Sequence, residues 1–189
     1  MNVESKRKRQ AKLLRLFRKI HRITGAFLFA FFFLVAITGL LLGWKKNSNG
    51  LILADSYKGT SKNLQDWLPL DQLRQNAERF LHEKVNPNLS VELDRIDVRQ
   101  DKGMVKFIFV EDYWGIQVDG ATGELLHLER RNADFIENIH DGSIIDKYLN
   151  SNGYFKLFYT SLMGFSLLVF TITGFWLWVG PKRMQKPEK

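Results

Sequence analysis

Hydrophobic and polar positions divide the chain sharply. Two stretches contain no charge at all: residues 23–44, with "GAFLFAFFFLVAITGLLLGW", and residues 157–181. About 20 apolar residues cross the hydrocarbon layer as a helix, so each run is long enough. A core helix of a water-soluble protein would keep a polar face, and the first run has none. That run is also longer than the apolar part of a signal peptide and lacks a small-x-small cleavage site, so it reads as an uncleaved anchor. Trp44, Trp176, Trp178, Tyr154 and Tyr159 fall near the run ends, where amphipathic rings favour the headgroup layer.

Between the runs the periodicity changes twice. Residues 47–63 are rich in Asn, Ser and Gly and read as a linker. In residues 68–85 Leu70, Leu73, Ala77, Phe80 and Leu81 recur at helical spacing, and Asn86-Pro87 ends the helix. Residues 90–99 read as a strand with a bulge near Asp94-Arg95. Residues 104–113 alternate, with Val105, Phe107 and Phe109 on one face. Residues 114–131 form a hairpin whose turn, 119–123, uses Gly120 and Gly123 for positive φ. In residues 132–156 Phe135, Ile136, Ile139, Ile144, Ile145 and Tyr148 mark a helical face interrupted at Asp141-Gly142, expected to lie along the membrane surface.

The predicted fold class is therefore membrane α+β: two antiparallel transmembrane helices flank an extracytoplasmic helix-plus-antiparallel-sheet domain. Its parts are a basic cytoplasmic or interfacial segment (1–22), the first span (23–44), a linker (45–66), the α+β domain (67–131), an interfacial segment (132–156), the second span (157–179) and a cytoplasmic tail (180–189).

Charge adds orientation. The net charge is +8, yet residues 1–22 alone carry +8 and residues 180–189 carry +3, leaving −3 for the remainder. Basic ends place both termini in the cytoplasm and the domain outside, with Lys45 and Lys46 the minor counter-signal. The basic N-terminal segment suits anionic lipid headgroups, at about 1 kcal/mol per residue near the surface. Basic charge confined to two span ends argues against a nucleic-acid partner. With no cysteine, disulfides, thiolate metal sites and cysteine nucleophiles are excluded. No HExxH, EF-hand-like loop, G-x-S-x-G or Walker motif is present, and no paired carboxylates suggest a hydrolase.

Four histidines remain. His82 and His127 belong to the α+β domain and read as ordinary surface residues. His21, beside Lys19 and Arg22, is either one more polar group at the lipid interface or a ligand. His140 is either a loop histidine bonded to Asp141 or a ligand whose ring Asp141 orients. About 30 Å of hydrocarbon separates the two, so one chain cannot clamp one group with both.

Residues in the spans also suggest packing. Gly25 with Gly174, and Gly39 with Gly164, fall at matching depths where small residues would let backbones approach closely. Thr38 and Thr173 can bond to their own helix or across to the other, and the triplet Ile-Thr-Gly occurs in both spans, hinting at an inverted pair. Phe27, Phe29, Phe31, Phe32 and Phe33 read as bulk facing lipid or a second chain.

Taken together, "WGIQVDGATGELL" (114–126), "KIHRITG" (19–25) and "ITGFWLW" (172–178) resemble the PepSY-associated transmembrane proteins, whose PepSY domain ends in a V-D-x-x-T-G-E hairpin. The resemblance covers the chain from about Arg18 to Trp178. It implies an inner-membrane protein with a PepSY-like periplasmic module. Larger relatives are linked to iron uptake, and some resemble ferric-siderophore reductases holding haem b through membrane histidines. For this chain that implies His21 and His140 as haem ligands in a homodimer, paired His21 residues holding an inner haem and paired His140 residues an outer one, to carry electrons outward. As an enzyme it would be a haem-dependent membrane oxidoreductase with an iron-uptake partner. The alternative is a non-enzymatic, membrane-anchored PepSY module that binds a peptidase, a transporter or another envelope protein.

Overall fold

A computed structural model describes residues 3–185; Met1, Asn2 and residues 186–189, the extreme ends of the two basic segments, lie outside the described residues. The elements follow in the order α1 (Val3–Trp44), α2 (Leu70–Lys84), β1 (Leu93–Arg99), β2 (Met104–Phe109), β3 (Trp114–Asp119), β4 (Leu125–Arg130), α3 (Asn132–His140), α4 (Ser143–Leu149) and α5 (Tyr154–Gln185). The chain divides into two compact units, residues 1–39 with 138–189, and residues 40–137.

The first unit is a helix pair with a short helical approach. Two helices, Arg7–Asn47 and Tyr154–Lys182, are long and apolar enough to cross a membrane. The basic segment is not separate from the first span, because α1 runs unbroken from Val3. Lys, Arg, Gln, Ala and Leu are all good helix formers, so nothing in residues 3–22 interrupts the winding. The buried seam of α1 runs through Leu14, Phe17, His21, Gly25, Leu28, Phe32 and Val35 to Thr38, in steps of three or four. That of α5 runs Tyr159, Met163, Ser166, Phe170, Thr173, Leu177 and Gly180. Both follow the seven-residue repeat of left-handed helix packing.

Leu28, Tyr159 and Met163 form the buried centre, with Phe32, Val35 and Phe155 against it. The phenylalanine run divides: Phe27, Phe29, Phe31 and Phe33 face outward, while Phe32 packs edge-on to Phe170 with ring centroids 6.0 Å apart. At the end of α5, Lys182 lies over the Trp178 ring, 4.4 Å from its centroid. The break between α3 and α4 falls at Gly142, at φ 80, and a Cβ there would meet the Tyr159 ring at 2.9 Å. The N-terminus of α5 is capped by a residue of α4. The Asp146 carboxylate accepts from the N–H groups of Phe155 and Lys156, at 3.0 and 2.8 Å, and from the Ser151 hydroxyl. Carboxylates favour that helix end because they satisfy donors left without an intrahelical partner.

The second unit is a four-stranded antiparallel sheet in the order β1-β2-β3-β4 with α2 packed on one face. Leu73, Ala77 and Leu81 of α2 meet Val105, Phe107, Phe109, Ile116 and Val118 in its core. Register places Phe107 opposite Ile116 and Val105 opposite Val118, so alternate residues of both strands face the helix. The expected bulge is present between Leu93 and Arg95. At the hairpin, Gly123 adopts φ 72. Gly120 does not adopt positive φ; it is required instead by Trp67, whose ring would lie 2.4 Å from a Cβ at that position.

The opposite sheet face is polar yet buried, because the segment read as a linker lies against it. Gln117 is wholly buried; its side chain accepts from the Tyr57 N–H and donates to the Asp55 carbonyl, at 2.9 and 2.8 Å. The Asp119 carboxylate accepts from the Thr60 N–H and hydroxyl at 2.8 and 2.5 Å, and from the Ala121 N–H at 2.8 Å. Burial works to raise the Asp119 carboxyl, but these hydrogen bonds outweigh it and hold the group below its ordinary value of 3.8. Further along this face Lys106 and Glu129, both buried, pair at 2.7 Å, and Arg131 binds Asp134 at 2.7 Å.

Candidate functional site

His21 and His140 both belong to the helix-pair unit, and the structure gives them matching surroundings. His21 projects from the seam of α1 toward α5. Its Nδ1 lies 3.0 Å from Thr173 Oγ1. Its ring stacks on Phe170 with centroids 3.8 Å apart. A Cβ on Gly174 would approach its Cε1 to 3.3 Å. His140 is the last residue of α3 and projects toward α1. Its Nδ1 lies 2.9 Å from Thr38 Oγ1, and a Cβ on Gly39 would approach its Cε1 to 3.5 Å.

Two of the three Ile-Thr-Gly triplets are therefore copies of one device; the third, Ile23-Thr24-Gly25, lies with its glycine under the Phe170 ring instead of a histidine. Ile172-Thr173-Gly174 on α5 receives the histidine of α1, and Ile37-Thr38-Gly39 on α1 receives the histidine that ends α3. In each, threonine supplies the polar partner and glycine supplies room for the ring edge. Each threonine hydroxyl also bonds within its own helix. Thr38 Oγ1 lies 2.7 Å from the Leu34 carbonyl and 3.2 Å from that of Val35. Thr173 Oγ1 lies 2.8 Å from the Val169 carbonyl and 3.0 Å from that of Phe170.

This changes the reading of the glycines. Backbones do not meet at Gly25–Gly174 and Gly39–Gly164. Gly25 sits under the Phe170 ring, where a Cβ would come within 2.9 Å of Cε2, and nothing lies within 4 Å of a Cβ on Gly164. Rings, not bare backbone, fill the space between the helices. Asp141 does not orient His140. Its carboxylate accepts from the Ser143 N–H at 2.9 Å and pairs with Lys156 at 2.5 Å. Burial works to raise the Asp141 carboxyl, but the hydrogen bonds from Lys156 and Ser143 hold it below its ordinary value.

Thr38, Thr173 and Phe170 as partners of the two rings were not expected from the sequence; the repeated triplet was the available signal. Thr38 is 17 positions beyond His21 on α1, which places the two ring levels about 26 Å apart at 1.5 Å per residue. That separation is close to the thickness of a hydrocarbon layer, about 30 Å. Among the described residues neither imidazole is paired with a carboxylate, and no cluster of His, Asp and Glu forms that could hold a metal ion. The other histidines are elsewhere: His82 Nε2 lies 3.0 Å from the Leu89 carbonyl, and His127 stacks on Tyr57 with centroids 4.6 Å apart.

The geometry thus comprises two membrane-length helices, a histidine cradle near each end of the pair, and an α-helix on an antiparallel sheet. No curated protein and no solved structure matches the chain. The family described as the PepSY-associated TM region matches residues 18–188, nearly the whole of it. The chain belongs to that family and is a membrane protein of the α+β class.

Proposed function

We propose that the protein is a haem b component of iron or ferric-siderophore reduction in the cytoplasmic membrane, acting as a homodimer. The observation that carries the reading is the pair of matching cradles, each presenting one imidazole held by neutral neighbours at one end of an apolar helix pair. A structural histidine at the lipid interface would need no such repeated seat. The donor set fits haem iron, which takes neutral imidazole. When bound, haem b supplies one-electron redox chemistry.

Each chain brings one histidine to each level, and the levels are about 26 Å apart by helix rise. A second copy related by a two-fold axis along the membrane normal supplies the second imidazole at both levels. Charge supports the orientation: the basic ends favour both termini in the cytoplasm, with the α+β module on the periplasmic side. Arg7, Lys8, Arg9, Lys12 and Arg15 on the first turns of α1 favour anionic headgroups there. The test is a haem absorption band in gently purified protein; its absence would sink the reading.

A second reading is a membrane-anchored module that binds a peptidase, a transporter or another envelope protein. It is favoured by an apolar groove of about 230 Å³ between α2 and the sheet, lined by Leu64, Trp67, Leu70 and Val98 among others. Protein purified without haem, yet retaining a partner through that groove, would favour it.

A further inference from the structure

Each threonine in the two cradles stands between its own helix and an imidazole. Its hydroxyl has one proton. Thr38 Oγ1 is 2.7 Å from the Leu34 carbonyl oxygen, and Thr173 Oγ1 is 2.8 Å from that of Val169. Two oxygens that close need a proton between them, or their lone pairs repel. Because a carbonyl carries no proton, the hydroxyl must donate it. The threonine oxygen then has only lone pairs for the ring nitrogens at 2.9 and 3.0 Å, so both histidines must donate from Nδ1.

We infer that Thr38 and Thr173 are positioning residues that hold His140 and His21 in the Nδ1–H tautomer and leave Nε2 of each as the free donor atom. A neutral ring that donates from Nδ1 carries its lone pair on Nε2. The same contact joins two parts of the fold: each ring is oriented by a helix other than its own, so orientation depends on the helices being paired. That dependence distinguishes the arrangement from a histidine bonded to the preceding turn of its own helix. Gly39 and Gly174 complete the seat by leaving room for the Cε1 edge. The ligand role of Nε2 rests on the haem reading above; the tautomer does not.

The test is nitrogen NMR of haem-free, full-length protein labelled with ¹⁵N-histidine in lipid nanodiscs. His82 is an internal reference, since its Nε2 lies 3.0 Å from the Leu89 carbonyl and must carry the proton there. Single histidine substitutions assign the signals. His21 and His140 are expected as Nδ1–H, the opposite of His82. Thr173→Val should release His21 alone to a tautomer mixture, Thr38→Val should release His140 alone, and Thr→Ser at either position should restore the original signal. An Nε2–H tautomer at His21 or His140 in the unsubstituted chain overturns the inference, as does a valine variant with an unchanged signal. The wild-type spectrum decides the matter even where a variant fails to fold. Protein that shows the Nδ1–H tautomer but takes up no haem would refute the proposed function and leave this inference standing. Haem uptake with the reversed tautomer would do the opposite.

Discussion

His21 of α1 and Phe170 of α5 stack face to face at 3.8 Å, and each ring sits over a glycine of the other helix: His21 over Gly174, Phe170 over Gly25. The reciprocal fit ranks the four glycines that fall at matching depths, Gly25, Gly174, Gly39 and Gly164. A Cβ would meet its nearest atom at 2.9 Å on Gly25, 3.3 Å on Gly174 and 3.5 Å on Gly39, and would meet nothing within 4 Å on Gly164. Gly25→Ala and Gly174→Ala should therefore destabilise the helix pair by about 1–3 kcal/mol, the first more than the second. Gly39→Ala and Gly164→Ala should stay within about 0.5 kcal/mol of wild type. Unfolding in mixed detergent micelles measures the order. Equal losses at Gly164 and Gly25 would mean that backbone approach, not ring seating, governs the packing.

The Lys106–Glu129 pair is buried on the polar sheet face at 2.7 Å. Glu129→Gln leaves the ammonium without its countercharge and should cost about 3–5 kcal/mol. Replacing both residues with Met and Leu should recover most of that loss, since an apolar pair of similar volume avoids desolvating two charges. Denaturant unfolding followed by tryptophan fluorescence compares the three variants; Arg131–Asp134 stays intact in each as the neighbouring pair.

Asp119 ties the hairpin to Thr60. Its carboxyl is held below 3.8, so its contribution is complete above that value and is lost as pH falls through 3.8 toward the folded-state value. Asp134 is lowered in the same way: burial works to raise it, and the hydrogen bonds and charges of Arg131 and Arg95 outweigh that. Stability of the α+β module should be flat from neutral pH down to about 5 and fall below about 4. Asp119→Asn places an amide N–H against the Thr60 donors; it should cost about 2 kcal/mol at neutral pH and flatten the acid limb. A variant with the wild-type acid limb would remove Asp119 from the account.

The span positions were legible because an uncharged run of that length has few other uses in a folded chain. Alternation at Val105, Phe107 and Phe109 and the turn around Gly123 carried the sheet in the same direct way. The polar sheet face was not legible. Lys106, Gln117, Asp119 and Glu129 alternate with apolar residues as solvent-facing positions do, yet all four are buried, Gln117 and Asp119 against the Asn- and Ser-rich segment and Lys106 and Glu129 against each other. Composition says that such a segment is irregular; it does not say where the segment lies.

The seam between the helices was hidden for a related reason. Where nearly every residue is apolar, hydrophobic contrast cannot mark the buried face. Its few polar residues mark it instead: His21, Thr38, Ser166 and Thr173 all lie on the seam. Depth matching placed the glycines at comparable levels but could not reveal that rings occupy the space beside them. The separation of His21 from His140 was expected from the thickness of the hydrocarbon layer alone, and the His140–Thr38 contact turns it into a count along α1. The identity of the atom beside each ring was not expected, because it depends on the rotation of α5 and on where α3 ends.

The central claim is that His21 and His140 each contribute to a separate haem, and it is tested most directly by haem content. Full-length protein purified in mild detergent should show a reduced-minus-oxidised haem b spectrum at about one haem per chain, two per two-fold dimer. His21→Ala and His140→Ala should each remove about half of it, and the double variant should remove it all. Wild-type protein without the band, or a double variant that keeps the full spectrum, would contradict the account.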